Sequence, residues 1–107
     1  MQDLKVILHV SDQERFINAY NNIKNIIKAK DNVVIHLLLN SNAAKLSVSE
    51  DKLSELISKG VTVSVCQNSL NSLNINSENL IDKVNVVAVG VLELVYKQNE
   101  GFAYIKP

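Results

Sequence analysis

One cysteine, one arginine and no excess of either charge set the first limits on what this chain does. With Cys66 alone no disulfide can close within the chain, and no zinc site can be built from paired thiolates. Two histidines, His9 and His36, add too little for a metal site, so no metal and no cofactor are expected. Eleven basic residues are cancelled by eleven acidic ones, and Arg15 is the only arginine. No basic surface is left to follow a phosphate backbone, and nucleic acid is not an expected partner. The apolar runs are strand-sized, far short of the ~20 residues that span a bilayer, so no membrane contact is expected either. The opening Met1-Gln2-Asp3-Leu4-Lys5 lacks a basic segment followed by an apolar stretch and a cleavage site. The expectation is a protein of the reducing cytoplasm. A formal net charge of zero also gives little colloidal repulsion, which favours self-association.

What the chain does have is apolar residues, 47% of the total, enough for a core without staples. Its 107 residues suit one domain, 1–107. Leu4 to Val10 is a run of branched residues that reads as a buried strand. Ser11-Asp12-Gln13-Glu14 matches a capping box, with Ser11 as the cap and Glu14 reaching back. Phe16, Ala19, Tyr20, Ile23, Ile26 and Ile27 follow at helical spacing, and Asp31-Asn32 breaks the helix. Val33 to Leu39 gives a second strand, and Ser41 to Leu46 a short helical turn. Leu53, Leu56 and Ile57 form a stripe that Gly60 stops. Val61 to Cys66 is a third strand, and Gln67 to Ser77 holds a short helix and a turn. A second short helix is expected after Ser77, on Leu80 and Ile81. Val84 to Val89 gives a fourth strand, Gly90 to Gln98 a helix, and Phe102 to Ile105 a short last strand. Alternation of this kind predicts a three-layer α/β/α sandwich around a mostly parallel sheet of about five strands.

Several nucleotide and phosphate sites fail on spacing. The turn His9-Val10-Ser11-Asp12-Gln13-Glu14 contains no glycine, which excludes both a dinucleotide fingerprint and a P-loop. The third strand ends in Cys66 where a phosphoryl-accepting receiver would need aspartate. Cys66 is the strongest positive signal, since the carboxyl end of a parallel strand is where open α/β sheets place their chemistry. A helix opening at Asn68 or Ser69 would turn unpaired amides toward the sulfur and favour a thiolate. A thiol in this place is equally a small hydrophobe that closes the strand. His9 would approach Cys66 and lower its pKa if the first and third strands are neighbours; otherwise it hydrogen-bonds a loop carbonyl. His36 reads as structural or as part of an oligomer contact. Val89 to Tyr96 is apolar on too many faces for a lone surface helix, and a second chain is the expected cover.

The stretch Lys59-Gly60-Val61 through Cys66-Gln67-Asn68-Ser69-Leu70, the opening Val6-Ile7-Leu8-His9-Val10 and the close Gln98-Asn99-Glu100-Gly101-Phe102-Ala103-Tyr104-Ile105-Lys106-Pro107 together resemble DsrE/DsrF-like proteins. That resemblance implies a flavodoxin-like domain assembling as dimers, trimers or hexamers. In the sulfur-relay members a cysteine after the third strand carries sulfur as a persulfide between a donor and an acceptor protein, and Cys66 occupies the matching place. On this expectation Cys66 is the nucleophile, His9 tunes it, and Gln67, Asn68, Ser69 and Ser11 meet the substrate. Relay members follow the cysteine with small residues, basic residues and a glycine. Here the chain reads Gln67-Asn68-Ser69-Leu70-Asn71-Ser72-Leu73-Asn74, closer to the small stand-alone branch of the family. The other expectation is a non-catalytic oligomeric module that binds a small ligand or a protein, with Cys66 as part of the wall.

Overall fold

The computed structural model describes residues 3–107. Five strands, β1 (Lys5–Val10), β2 (Val34–Leu39), β3 (Thr62–Cys66), β4 (Asn85–Val87) and β5 (Ala103–Ile105), form one sheet in the order β4-β3-β2-β1-β5. Every pairing is parallel, so all the carboxyl ends lie on one edge. Five helices connect them: α1 (Phe16–Ala29), α2 (Leu46–Ser49), α3 (Lys52–Ser58), α4 (Gln67–Ser72) and α5 (Gly90–Asn99). Helices cover both sides of the sheet, as the strand–helix alternation predicts.

The two faces are covered very unequally. Alternate residues of the central strands, among them Leu8, Val10, Ile35, Leu37, Leu39, Val63 and Val65, point to the side where α1 supplies Phe16, Ala19 and Ile23 and α3 supplies Leu53 and Leu56. On the other side, among the described residues, a smaller buried cluster of Ile7, Leu38, Leu94 and Phe102 forms, with Val87 packed against it. Strand alternation places His9, His36 and Cys66 on this thinner side. The outer surface of α5 carries Val91, Leu92, Val95 and Tyr96, each between 42% and 62% exposed and none of them charged. Val89, just before α5, is exposed as well; Val86, level with Val65, is exposed on the opposite face of the sheet, and Tyr104 and Ile105 are exposed on β5.

Local chemistry explains where the expected elements hold and where they shift. Gly60 adopts φ +92, a left-handed stop that a side chain would oppose, and α3 ends just before it. The first helix is not capped by Ser11. Asp12 accepts from the Glu14 amide at 3.2 Å, a single 3-10 turn (Gln13–Arg15) follows, and only then does α1 begin. The Ser11 hydroxyl is taken by the His9 ring at 3.0 Å, so the next carboxylate does the capping. The helix expected on Leu80 and Ile81 is a 3-10 turn over Ser77–Asn79, with Leu80 already extended. Leu80 and Ile81 pack against the main core instead, fixed by the Ile81 amide donating to the Ser47 carbonyl at 2.8 Å. The fourth strand is shorter than Val84 to Val89, because only Asn85–Val87 find partners on the last residues of β3. On the α3 side Tyr20 donates its hydroxyl to Glu55 at 2.7 Å, and Lys24 lies 3.6 Å from the same carboxylate.

Leu37 stands at the centre of the better-covered face and is almost wholly buried. Leu37→Ala should lower the unfolding free energy by about 2–5 kcal/mol through lost burial and an uncollapsed cavity. Urea titration checks this, with the midpoint falling and the slope unchanged.

Candidate functional site

Cys66 is the last residue of β3 and the residue from which α4 starts, in an extended conformation with φ −77 and ψ 124. Its Sγ accepts a hydrogen bond of 3.3 Å from the amide of Gly90, the first residue of α5. The sulfur therefore lies at the amino ends of two helices arriving from different parts of the chain. A Cβ at position 90 would sit 3.1 Å from the Cys66 Cβ and 3.5 Å from its Sγ. Glycine is what lets the backbone come this close.

Cys66 is 6% exposed, and burial on its own pushes the thiol pKa up. The amides of Ser69 and Gly90, the Ser69 hydroxyl and the Asn68 amide act against that burial and outweigh it, so the thiol ends below its ordinary value. Unpaired amides at a helix start are partial positive charges, and they stabilise a thiolate without a neighbouring base. The side chain of Gln67 turns along α4 to donate to Asn71 Oδ1 at 2.8 Å. Asn68 and Ser69 line a cleft of about 360 Å³ with Ser41, Asn42, Ser72 and Leu73. No charged residue lines it. The Ser69 hydroxyl oxygen accepts from the Ser41 amide at 2.8 Å, which ties the end of β2 to the first turn of α4.

His9 stands elsewhere, and its expected partnership with Cys66 is corrected by the sheet order. β2 lies between β1 and β3; His9 is level with Leu38, which is level with Ser64. Two strand spacings put roughly 10 Å between the His9 and Ser64 positions, with Cys66 two residues further along. The imidazole belongs instead to a polar cluster at the carboxyl ends of β1 and β2 beside β5. His9 Nε2 lies 2.9 Å from Asn40 Oδ1 and 3.0 Å from Ser11 Oγ, and Nδ1 lies 2.7 Å from the Tyr104 hydroxyl. The neutral ring with Nε2–H donating to Asn40 and Nδ1 accepting from Tyr104 satisfies both contacts. Ser11 is thus a partner of His9 and does not line the cleft formed by Asn68 and Ser69. His36 is half-buried with its ring edge-on to Phe102, the centroids 4.7 Å apart. Among the described residues no three His, Cys, Asp or Glu side chains gather where they could hold a metal ion. None of the helices described is long and apolar enough to cross a membrane.

Gly90, Asn40 and Tyr104 are site residues that the sequence alone does not disclose. Each meets its partner across the chain, and only the strand order brings them together. The Gly90 signal, a glycine at the head of an apolar segment, is visible but has no assigned neighbour until β3 and α5 are placed. Chemically the edge offers one nucleophile, a thiol held toward its thiolate by amides; the uncharged cleft lies between the end of β2 and α4, and Cys66 is not among its lining residues. At some distance along the same edge lies a neutral imidazole with a tyrosine hydroxyl.

The DsrE/DsrF-like family model matches residues 7–107. Among solved structures, a protein of unknown function, MTH1491, from Methanobacterium thermoautotrophicum is 31% identical, with 98% of this chain and 100% of that one covered at a TM-score of 0.91. The ychN protein of E. coli superposes with a TM-score of 0.80 at 18% identity, with 100% of each chain covered. A conserved protein of unknown function, BT1422, from Bacteroides thetaiotaomicron gives 0.69 at 20% identity, over 96% of this chain and 94% of that one. At those lower identities the likeness is one of fold. Comparison with functionally curated proteins gives no match.

Burial holds the pKa of His9 below its ordinary value, with the Asn40 hydrogen bond opposing and Lys106 adding to the effect. His36 is lowered in the same way by burial and by Lys97, against Glu100. A group whose folded pKa is depressed takes up protons more readily when unfolded. Both rings therefore contribute stability that is complete above about pH 6.5 and is lost as pH falls below it. The unfolding free energy should decline from about pH 7 to pH 5, above the range in which Glu55, held low by the Tyr20 hydroxyl, takes up its proton. His9→Gln should flatten that decline in pH-dependent urea titrations; an unchanged slope would show that His9 titrates alike in both states.

Proposed function

The chain belongs to the DsrE/DsrF-like family, and on that premise we propose that it is a sulfur carrier of the cytoplasm. In this reading Cys66 holds sulfur as a persulfide, and the protein works as a homo-oligomer. The observation that carries the proposal is the position of Cys66 Sγ, at the amino ends of α4 and α5 with the Gly90 amide directed at it. Such a sulfur is inclined toward its thiolate, the nucleophilic form, by hydrogen bonds alone. The step is an exchange at sulfur. The Cys66 thiolate attacks the outer sulfur of a donor persulfide, the new Cys66 S–S bond forms, and the donor's S–S bond breaks to release its thiolate. An acceptor thiolate then attacks the outer sulfur on Cys66, which leaves as the thiolate it was. Sulfane sulfur moves and no net oxidation occurs. The amides that favour the Cys66 thiolate also make it a good leaving group in the second half of the cycle. The cleft lined by Asn68 and Ser69 is the place for the segment that delivers or collects sulfur.

The near-complete burial of Cys66 favours a second reading, a binding module in which the thiol is only wall. The two readings separate on one measurement. Incubation with a persulfide donor should add one sulfur, about 32 mass units, to the wild-type protein and none to Cys66→Ser. Equal addition to both, or none to either, favours the binding module.

The oligomer rests on α5. Four uncharged apolar side chains on one exposed helical surface, with Val89 just before them, are more than an isolated domain of this size leaves to water. A second copy of the chain, presenting the same stripe, covers it without opposing charges. Light scattering should give a multiple of the chain mass, and Val95→Glu should return it to one chain by placing a charge in the stripe. A wild-type monomer at high concentration removes the homo-oligomer from the reading.

A further inference from the structure

Ser41 has φ +50, left-handed backbone in which a residue other than glycine, asparagine or aspartate is uncommon. It lies two residues past the end of β2, after Asn40, and opens the 3-10 turn Ser41–Lys45. The first amides of such a turn have no partner within it. In this turn the Ser41 amide reaches across the cleft to Ser69 Oγ at 2.8 Å, well within hydrogen-bond range. Ser69 lies three residues after Cys66, in the first turn of the helix that Cys66 starts.

A serine oxygen that accepts one strong hydrogen bond has its remaining directions restricted. With one lone pair of Ser69 committed to Ser41, its O–H remains available as a donor, and Cys66 lies three residues before it at the head of α4. We propose that the Ser69 hydroxyl is a dedicated donor to the Cys66 sulfur and that the left-handed backbone of Ser41 is the positioning element that aims it. The chain of donors runs from the Ser41 amide to Ser69 Oγ, and from the Ser69 O–H to Cys66 Sγ. It joins the carboxyl ends of β2 and β3, and it gives the backbone strain at Ser41 a purpose. That the Ser69 hydroxyl favours the charged form of Cys66 agrees with this direction.

A donor of this kind serves both halves of a sulfur exchange, since Cys66 is a thiolate at the start and again on release. No other side chain lining the cleft carries a charge that could take over the work. The inference rests on Cys66 being the reacting thiol, but its test is read on the free thiol, so persulfidation can fail while the hydroxyl's effect stands, and the reverse.

The test takes wild type, Ser69→Ala and Ser69→Thr, the last retaining a hydroxyl. Thiolate absorbance against pH and the rate of iodoacetamide alkylation report the sulfur; hydrogen exchange by NMR reports the Ser41 amide. Ser69→Ala should raise the thiol midpoint and slow alkylation at about pH 7 by roughly three- to tenfold, while Ser69→Thr stays near wild type. The Ser41 amide should be protected in wild type and Ser69→Thr and exchange at least about tenfold faster in Ser69→Ala. An unchanged midpoint in Ser69→Ala, or equal rises in the two variants, overturns the donor. A Ser41 amide that is unprotected in wild type, or still protected in Ser69→Ala, overturns the positioning role. Thermal unfolding of each variant shows whether the fold is kept, and the threonine variant carries the decision if alanine alone unfolds.

Discussion

A sheet whose strands all run the same way must be covered on both faces, because each strand needs a crossover and each crossover lays a segment on the sheet. Here three crossovers, carrying α1, α3 and α4, step from β1 through β2 and β3 to β4, and one, carrying α5, returns to place β5 beside β1. The unequal burial follows. The first face is closed by several helices and holds most of the core, while the second depends on α5 with Leu94 and on Phe102. The same geometry gathers the carboxyl ends of five strands on one edge. It also brings the first amide of α5 down onto the last residue of β3. The covering of the sheet and the environment of the thiol are thus one arrangement.

The electrostatics of the thiol depend on backbone amides and a hydroxyl rather than on charged side chains. Burial alone would hold Cys66 neutral, and the converging amides reverse the balance. His9 experiences the opposite outcome a short way along the edge. Burial lowers its pKa, Lys106 adds to that, and the Asn40 hydrogen bond opposes it without reversing it, so the neutral ring is favoured. A thiol inclined to ionise and an imidazole inclined not to are kept apart by a whole strand, and neither needs the other.

The periodic parts of this fold are legible in the sequence because they are local. Leu4 to Val10, Val33 to Leu39 and Val61 to Cys66 are each apolar enough to be strands in any arrangement, and the stripe of α1 and the stop at Gly60 depend on near neighbours alone. The capping residue was hidden because Ser11 has two possible partners, and the preference for His9 exists only once β1 has placed the ring. The short β4 was hidden because an edge strand reaches only as far as its neighbour supports it. The site itself mixes the two kinds of information. Cys66 at the end of a strand is visible in a few residues. Its contact with Gly90 spans 24 residues, and those of His9 with Asn40 and Tyr104 span 31 and 95. Contacts at such separations belong to the strand order, which no local pattern encodes.

The placement of β5 against β1 has a consequence for how the chain comes into being. Val6 lies level with Ala103, so the strand made first waits for the strand made last. Until then one side of β1 offers free amides and carbonyls to any extended chain nearby. Pairing of this range is slow to form, because a long loop must close before it is rewarded. The burial of Phe102 and the hydrogen bond from Tyr104 to His9 close that seam in one movement. The time between synthesis of β1 and arrival of β5 is therefore the interval in which this protein is most open to mispairing with its own copies.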